Sequence, residues 1–169
     1  NRAQGYSMSQ VACRLAVPTD FPLLSEMYCR LYDSYYQYNF RLPRPADPGS
    51  AWLDSFSRTL GRFSSLYVAE VDGSLCGYLL CRVKRTPQHL GAGVLVGEIS
   101  DVWLEPERRG LGIAGQLIRL ALDWLRQQNV HSVEAQVLKG NHASLRFFQG
   151  MGFVEEFSVV RLAWDDYAG

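Results

Sequence analysis

The run Glu107-Arg108-Arg109-Gly110-Leu111-Gly112-Ile113-Ala114-Gly115 sets glycines and paired arginines between an apolar stretch, Val94 to Leu104, and an amphipathic one. A chain that enters a helix here leaves its first N–H groups without internal partners. The helix dipole adds partial positive charge at the same place. Small residues let this backbone wrap closely around an anion, and Arg108 and Arg109 bring full charges nearby. The chemistry served by such a turn is the binding of a phosphate or diphosphate. A tight turn with no ligand is the plainer reading of the same glycines.

A dinucleotide site is a third reading. Gly110-x-Gly112-x-x-Gly115 spells G-x-G-x-x-G, and Glu134 follows about twenty residues later, where a ribose-binding carboxylate would stand. Context opposes it. A polar stretch containing Pro106 separates the strand from the glycines, and too little chain follows for a doubly wound sheet.

The elements around the turn follow from periodicity. Val11 to Ala16 alternates as a strand. Thr19 or Asp20 can cap a helix with Pro22 in its first turn, and Phe21, Leu24, Met27, Tyr28, Leu31 and Tyr35 recur at helical spacing. Three prolines make Phe40 to Gly49 a loop. Trp52, Leu53, Phe56 and Leu60 predict a second helix ending at Gly61. Leu66 to Val71 and Leu75 to Val83, joined by Asp72-Gly73, predict a hairpin with a type I′ turn. Thr86 to Gly93 reads as flexible, and Val94 to Leu104 as the strand that feeds the glycines.

Gly112 to Gln128 predicts a helix with Ile113, Leu117, Leu120, Ala121 and Trp124 facing inward. Ser132 to Leu138 reads as a strand, Ala143 to Gln149 as a short helix, and Phe153 to Ala163 as the final strand or strands. No repeat or linker divides the chain, so 1–169 reads as one α/β domain with a mixed sheet. The sheet is antiparallel early and closes with a parallel β-α-β unit.

The region from Arg109 to Ala114 resembles motif A of the GNAT superfamily of N-acetyltransferases, Q/R-x-x-G-x-G/A, with Arg109, Gly112 and Ala114 in the specified positions. Val102-Trp103-Leu104-Glu105-Pro106-Glu107 is similar to that family's strand-then-proline approach. Asn141 to Phe153 resembles its second signature, N-x-A-S-x-x-F-Y-x-x-x-G-F, and Arg14 to Asp20 its opening strand and helix cap. The matches fall in the family's order.

The resemblance implies a GNAT-like acyl-CoA N-acyltransferase fold and acetyl-coenzyme A as acyl donor. It assigns the diphosphate to the backbone of Arg109, Gly110, Leu111, Gly112, Ile113, Ala114 and Gly115. Val102 and Leu104 would pair with the pantetheine arm as a strand edge does. An N–H near Trp103 or Leu104 would hold the oxyanion. Asn141 would bond the cofactor arm or cap the following helix, with Ser144 and Phe147 as further cofactor contacts.

The implied reaction is direct attack by a primary amine in a ternary complex. A lysine-like amine is mostly protonated at neutral pH, so a base must take its proton. Glu98 and Asp101 are the base candidates on the strand before the turn, Glu98 ranked first. Three residues apart, they face opposite sides of a regular strand unless a bulge intervenes. Glu134 and Gln136 rank below them. Phe148 departs from the family's tyrosine and has no proton for the leaving thiolate. The same departure fits a rival, an acyl-CoA sensor or degenerate transferase without turnover.

The aromatic run Tyr32, Tyr35, Tyr36, Tyr38 and Phe40 lies where the family walls its acceptor site. With Asp33 it would hold a cationic amine, Asp33 and Tyr36 being the named contacts.

Bulk composition bounds these readings. The 169 residues are 47% hydrophobic and 20% charged, suited to one core. Lys plus Arg and Asp plus Glu number 17 each, so the net charge is zero, which argues against a broad nucleic-acid surface. No apolar run is long enough for a membrane span. Cys13, Cys29, Cys76 and Cys81 lack metal-ligand spacing and read as free thiols in a reducing cytoplasm, with no metal expected. Met8 is a candidate natural start, which makes 1–7 a non-native leader. A small-molecule or peptide amine is the expected partner, with a homodimer as the assembly the resemblance suggests.

Overall fold

The computed structural model describes residues 9–169, so the expectation for residues 1–8 lies outside the described part. Strands β1 (Val11–Leu15), β2 (Ser64–Val71), β3 (Ser74–Arg85), β4 (Leu95–Leu104) and β5 (Val133–Ala135) form one sheet in that order. Neighbours are antiparallel except β4 and β5, which are parallel. This mixed sheet is not the parallel array of a dinucleotide fold. The hairpin turn is as expected, with Asp72 at φ 51° and Gly73 at φ 80°.

Helices α1 (Phe21–Tyr35) and α2 (Pro48–Phe56) cover one face. Leu24, Met27, Leu31, Trp52 and Phe56 pack there on Leu66, Val68, Tyr78, Leu80 and Trp103. Helix α3 (Ile113–Gln127) covers the other face, with α4 (His142–Gly150) beside it. Ile113, Leu117, Ile118, Ala121 and Leu125 pack on the intervening strand residues, Tyr67, Ala69, Leu79, Cys81, Ile99 and Leu104. The alternation along β2 and β3 divides the two cores, as a sheet buried on both faces requires.

Several expectations are corrected. Pro48 opens α2 rather than ending a loop, because Asp47 accepts a hydrogen bond from the Ser50 N–H at 3.2 Å and proline needs no donor in the first turn. The helix stops at Phe56, and Leu60 lies past the following turn, in an isolated bridge to Ser64. Asp20 does not cap α1. It accepts from the Val17 N–H at 2.8 Å and pairs with Arg14, which also binds Glu70. The buried stripe of α3 is rotated: Ile118 and Leu125 are in the core, while Leu120 and Trp124 are half-buried flanks.

Beyond Ala135, the residues expected to continue a strand to Leu138 leave the sheet. Phe153 to Ala163 forms no strand either. Val160 is 94% exposed, and Val154 to Leu162 makes no main-chain hydrogen bond among the described residues. β-Rich composition makes a strand only where an edge and a buried face are offered.

Candidate active site

The glycine turn is open. Gly110 and Gly112 take φ of 77° and 79°, a region L-residues avoid, and a Cβ on either would meet nothing within 4 Å. The first bonded N–H of α3 is that of Gln116, which donates to Gly112 at 3.3 Å. The N–H groups from Gly110 through Gly115 have no partner among the described residues. Leu111 is exposed, whereas the Ile113 side chain is in the core, so Ile113 offers only its backbone. Arg109 folds back, its Nε donating to the Leu104 carbonyl at 3.0 Å and its guanidinium 4.7 Å above the Trp103 ring.

Beside the turn the sheet splits. The β4–β5 pairing covers Gly97 to Ile99 and then stops. The Glu105 N–H bonds Cys76 across β3 at 2.8 Å. Antiparallel alternation therefore turns Trp103 toward β3, and Val102 and Leu104 toward the free edge. The gap is a cleft of about 390 Å³ between α1, β4, α3 and α4. Val102, Trp103, Leu104, Arg109, Ala114, Asn141, Ser144 and Phe147 all line it, and so does Phe148. Asn141 caps α4, its Oδ1 accepting from the Ser144 N–H at 3.2 Å. Trp103 reaches the cleft with its side chain, its backbone N–H being committed to the β3 side. Gly115 stands against Arg119 instead of in the cleft wall.

The α1 side of the cleft comes from Leu31, Ser34, Gln37 and Tyr38. Asp33 and Tyr36 are elsewhere: Asp33 pairs with Arg44 at 2.7 Å, and the Tyr36 hydroxyl donates to the Leu42 carbonyl at 2.9 Å. Helical geometry explains the difference. Leu31, Ser34 and Tyr38 share a stripe at i, i+3 and i+7, and Asp33 and Tyr36 lie to its side. The signal was legible, since Ser34 continues the apolar stripe Leu24-Met27-Leu31 with a hydroxyl.

Glu98 and Asp101 share one face. The β3–β4 register shifts between Leu80 and Cys81, which pair with Asp101 and Ile99, so Ser100 is an extra residue in β4. Ile99 and Val102 therefore both face α3, while Glu98 and Asp101 both turn toward the α1–α2 side. Their surroundings differ. Lys84 bridges Glu98 at 2.7 Å and also Glu134, and Ser100 Oγ donates to Glu98 at 2.9 Å. Burial alone would raise the Glu98 carboxyl, but these donors outweigh it and hold its pKa below the ordinary value.

Asp101 makes no salt bridge within 4.0 Å among the described residues. Burial pushes its pKa up to about 6, against the Trp52 hydrogen bond and the Arg82 charge, which favour the ionised form. Trp52 Nε1 donates to Asp101 Oδ2 at 2.7 Å. Trp52 itself stacks on Tyr28 with centroids 5.1 Å apart and planes 11° apart. Asp101 thus lies one strand position from the cleft residue Val102, on the α1–α2 side of β4, and is not itself among the residues that line the cleft. Periodicity placed Trp52 only on a second helix, because nothing in its spacing shows where an indole N–H points.

An open turn with unpartnered N–H groups, a splayed strand edge and a carboxylate of raised pKa define a class. The acetyltransferase (GNAT) family model matches residues 25–153, and the chain belongs to that family. Among curated relatives, a mycothiol acetyltransferase of Acidimicrobium ferrooxidans is 26% identical over 147 residues, covering 74% of this chain and 46% of the relative. An uncharacterised N-acetyltransferase of Methanocaldococcus jannaschii is 26% identical over 136 residues, 80% of this chain and 57% of the relative. The chain therefore spans about half the length of these two relatives.

Solved structures share the fold. An aminoglycoside N-acetyltransferase in complex with CoA superposes with TM-score 0.74 at 18% identity, over 94% of this chain and 97% of the other. A predicted acetyltransferase of Clostridium acetobutylicum, solved with acetyl-CoA, gives TM-score 0.73 at 17% identity, over 95% and 100%.

Proposed function

We propose that this protein transfers an acetyl group from acetyl-coenzyme A to a primary amine by direct attack in a ternary complex, with Asp101 as the base. The observation that carries the proposal is the run of unpartnered N–H groups from Gly110 to Gly115, opening onto a cleft beside the free edge of β4. Those groups suit a diphosphate. The outward N–H and C=O groups of Val102 and Leu104 suit the amides of a pantetheine arm, although the Leu104 carbonyl must first be released by Arg109. Relatives named as acetyltransferases and fold neighbours solved with CoA or acetyl-CoA support this donor.

The acceptor ammonium gives one proton to Asp101, directly or through water, and the neutral amine adds to the thioester carbonyl. As the resulting oxyanion collapses, the C–S bond breaks and the second nitrogen proton passes through water to the departing thiolate. A free-edge N–H of β4, Val102 or Leu104, donates to the developing oxyanion. Asp101 is preferred over Glu98 for an electrostatic reason. A base poised near the working pH both ionises and accepts effectively, whereas Glu98 is already neutralised by Lys84. Phe148 donates nothing, and the thiolate, with a thiol pKa of about 8.5, can leave without an acid. A cytoplasmic setting, where the free thiols stay reduced, belongs to the same proposal.

The test is release of free thiol from acetyl-CoA across a panel of primary amines, with coenzyme affinity measured in parallel. Turnover that Asp101→Asn abolishes supports the proposal. Tight coenzyme binding with no turnover across the panel replaces it with the sensor suggested by Phe148.

A further inference from the structure

Arg82 stands on the same face of β3 as Tyr78 and Leu80, cross-strand from Glu98 and two residues along β3 from Leu80, the partner of Asp101. It is half-buried, yet forms no salt bridge within 4.0 Å among the described residues. Among the described residues its buried Nε has no hydrogen-bond partner, and its one side-chain bond runs from Nη2 to Ser55 Oγ at 3.0 Å. A buried donor on a permanently charged group is costly to leave unmade.

The same helix holds both charges. Trp52 and Ser55 are three residues apart on α2, hence on one helical face. Trp52 bonds Asp101 and Ser55 bonds Arg82. The two charges are close enough that Arg82 favours the ionised form of Asp101, yet they are not paired. The nearby cation Lys84 differs, being already bridged to Glu98 and Glu134.

We infer that Arg82 is an acceptor-recognition residue, and that the amine this protein acetylates carries a carboxylate: its ammonium is received by Asp101 and its carboxylate by the unfilled donors of Arg82. A carboxylate offers the paired acceptors that a guanidinium fork matches. This assignment rests on the reading of Asp101 as the base and narrows its substrate to amino acids.

The experiment compares kcat/KM for glycine, β-alanine and 4-aminobutyrate with methylamine, ethylamine and propylamine, the same amines lacking the carboxylate. At saturating acetyl-CoA, at least one amino acid exceeds its partner by roughly ten- to a hundredfold, the size of one charge-assisted contact. Arg82→Gln collapses that ratio, Arg82→Lys restores part of it, and Ser55→Ala lowers it without touching the guanidinium. Any change in Asp101 basicity acts on both acceptors and cancels in the ratio. Unchanged coenzyme affinity shows that the variants are folded.

Equal use of both series by the wild type, or an unchanged ratio in both Arg82→Gln and Ser55→Ala, removes Arg82 from recognition while acetyl transfer stands. Turnover of other primary amines with neither of these series overturns this assignment alone, and no thiol release from any amine of the wider panel overturns the proposed activity with it.

Discussion

The indole of Trp52 and the carboxylate of Asp101 meet across the interface of α2 and β4, Nε1 donating to Oδ2 at 2.7 Å. A charged acceptor is stabilised by this donor, while burial opposes the charge. Burial prevails, and the carboxyl rests at about 6. Trp52→Phe keeps the ring stack on Tyr28 and deletes the donor. The acid limb of the kcat/KM profile, near pH 6 in the wild type, should move upward by about one unit, the weight of a typical hydrogen bond to a charged group. A limb that stays in place would separate Trp52 from the titrating group.

Asp101→Asn should lower kcat by at least about a hundredfold while raising stability. The sign follows from linkage. The folded pKa, about 6, lies above the ordinary carboxyl value of 3.8, so the folded state holds this proton more tightly than the unfolded chain. The group's contribution is most favourable below the unfolded value and falls as pH rises toward 6, leaving an ionised carboxylate that costs up to about 3 kcal/mol at neutral pH. A neutral amide removes that cost and can still accept from Trp52. Thermal unfolding at pH 5 and pH 7.5 checks this, the gain being larger at pH 7.5. Glu98→Gln, which instead frees Lys84 from one partner, should change kcat by less than about tenfold.

Gly112→Asp addresses the turn. Gly112 sits at φ 79° and opens α3 with no side-chain cap. A Cβ there meets no protein atom within 4 Å, and an aspartate brings negative charge and bulk to the place proposed for the diphosphate. Coenzyme affinity measured by calorimetry should fall by roughly a hundredfold or more. The strained φ should cost about 1 kcal/mol of stability. Unchanged affinity would take the turn out of the site.

Gly77→Ala tests how the cleft depends on β3. Gly77 pairs with Leu104, and a Cβ there would fall inside the contact distance of the Leu104 side chain and the Trp103 carbonyl oxygen. The backbone of β4 must shift where it lines the cleft. Expected effects are a loss of about 1–3 kcal/mol in chemical denaturation and weaker coenzyme binding. A stable variant with full affinity would show that the end of β4 gives way without consequence.

The sequence by itself determined the elements whose periodicity is local: the Asp72-Gly73 hairpin, the run of α1 and α3, and the glycine turn between a strand and a helix. Backbone chemistry near each residue decides these, since φ preferences and N–H accounting reach only a few positions along the chain. Tertiary structure decided what depends on neighbours far in sequence. The extra residue at Ser100 turned Glu98 and Asp101 to one face, and a register shift exists only between two paired strands. Trp52, Ser55 and Arg82 came together because α2 docks on β3 and β4. Asp33 met Arg44 rather than the cleft because helix docking fixes which stripe of α1 faces inward. The segment from Phe153 to Ala163 has the composition of a strand, but pairing is a property of two edges, and composition belongs to one chain segment alone.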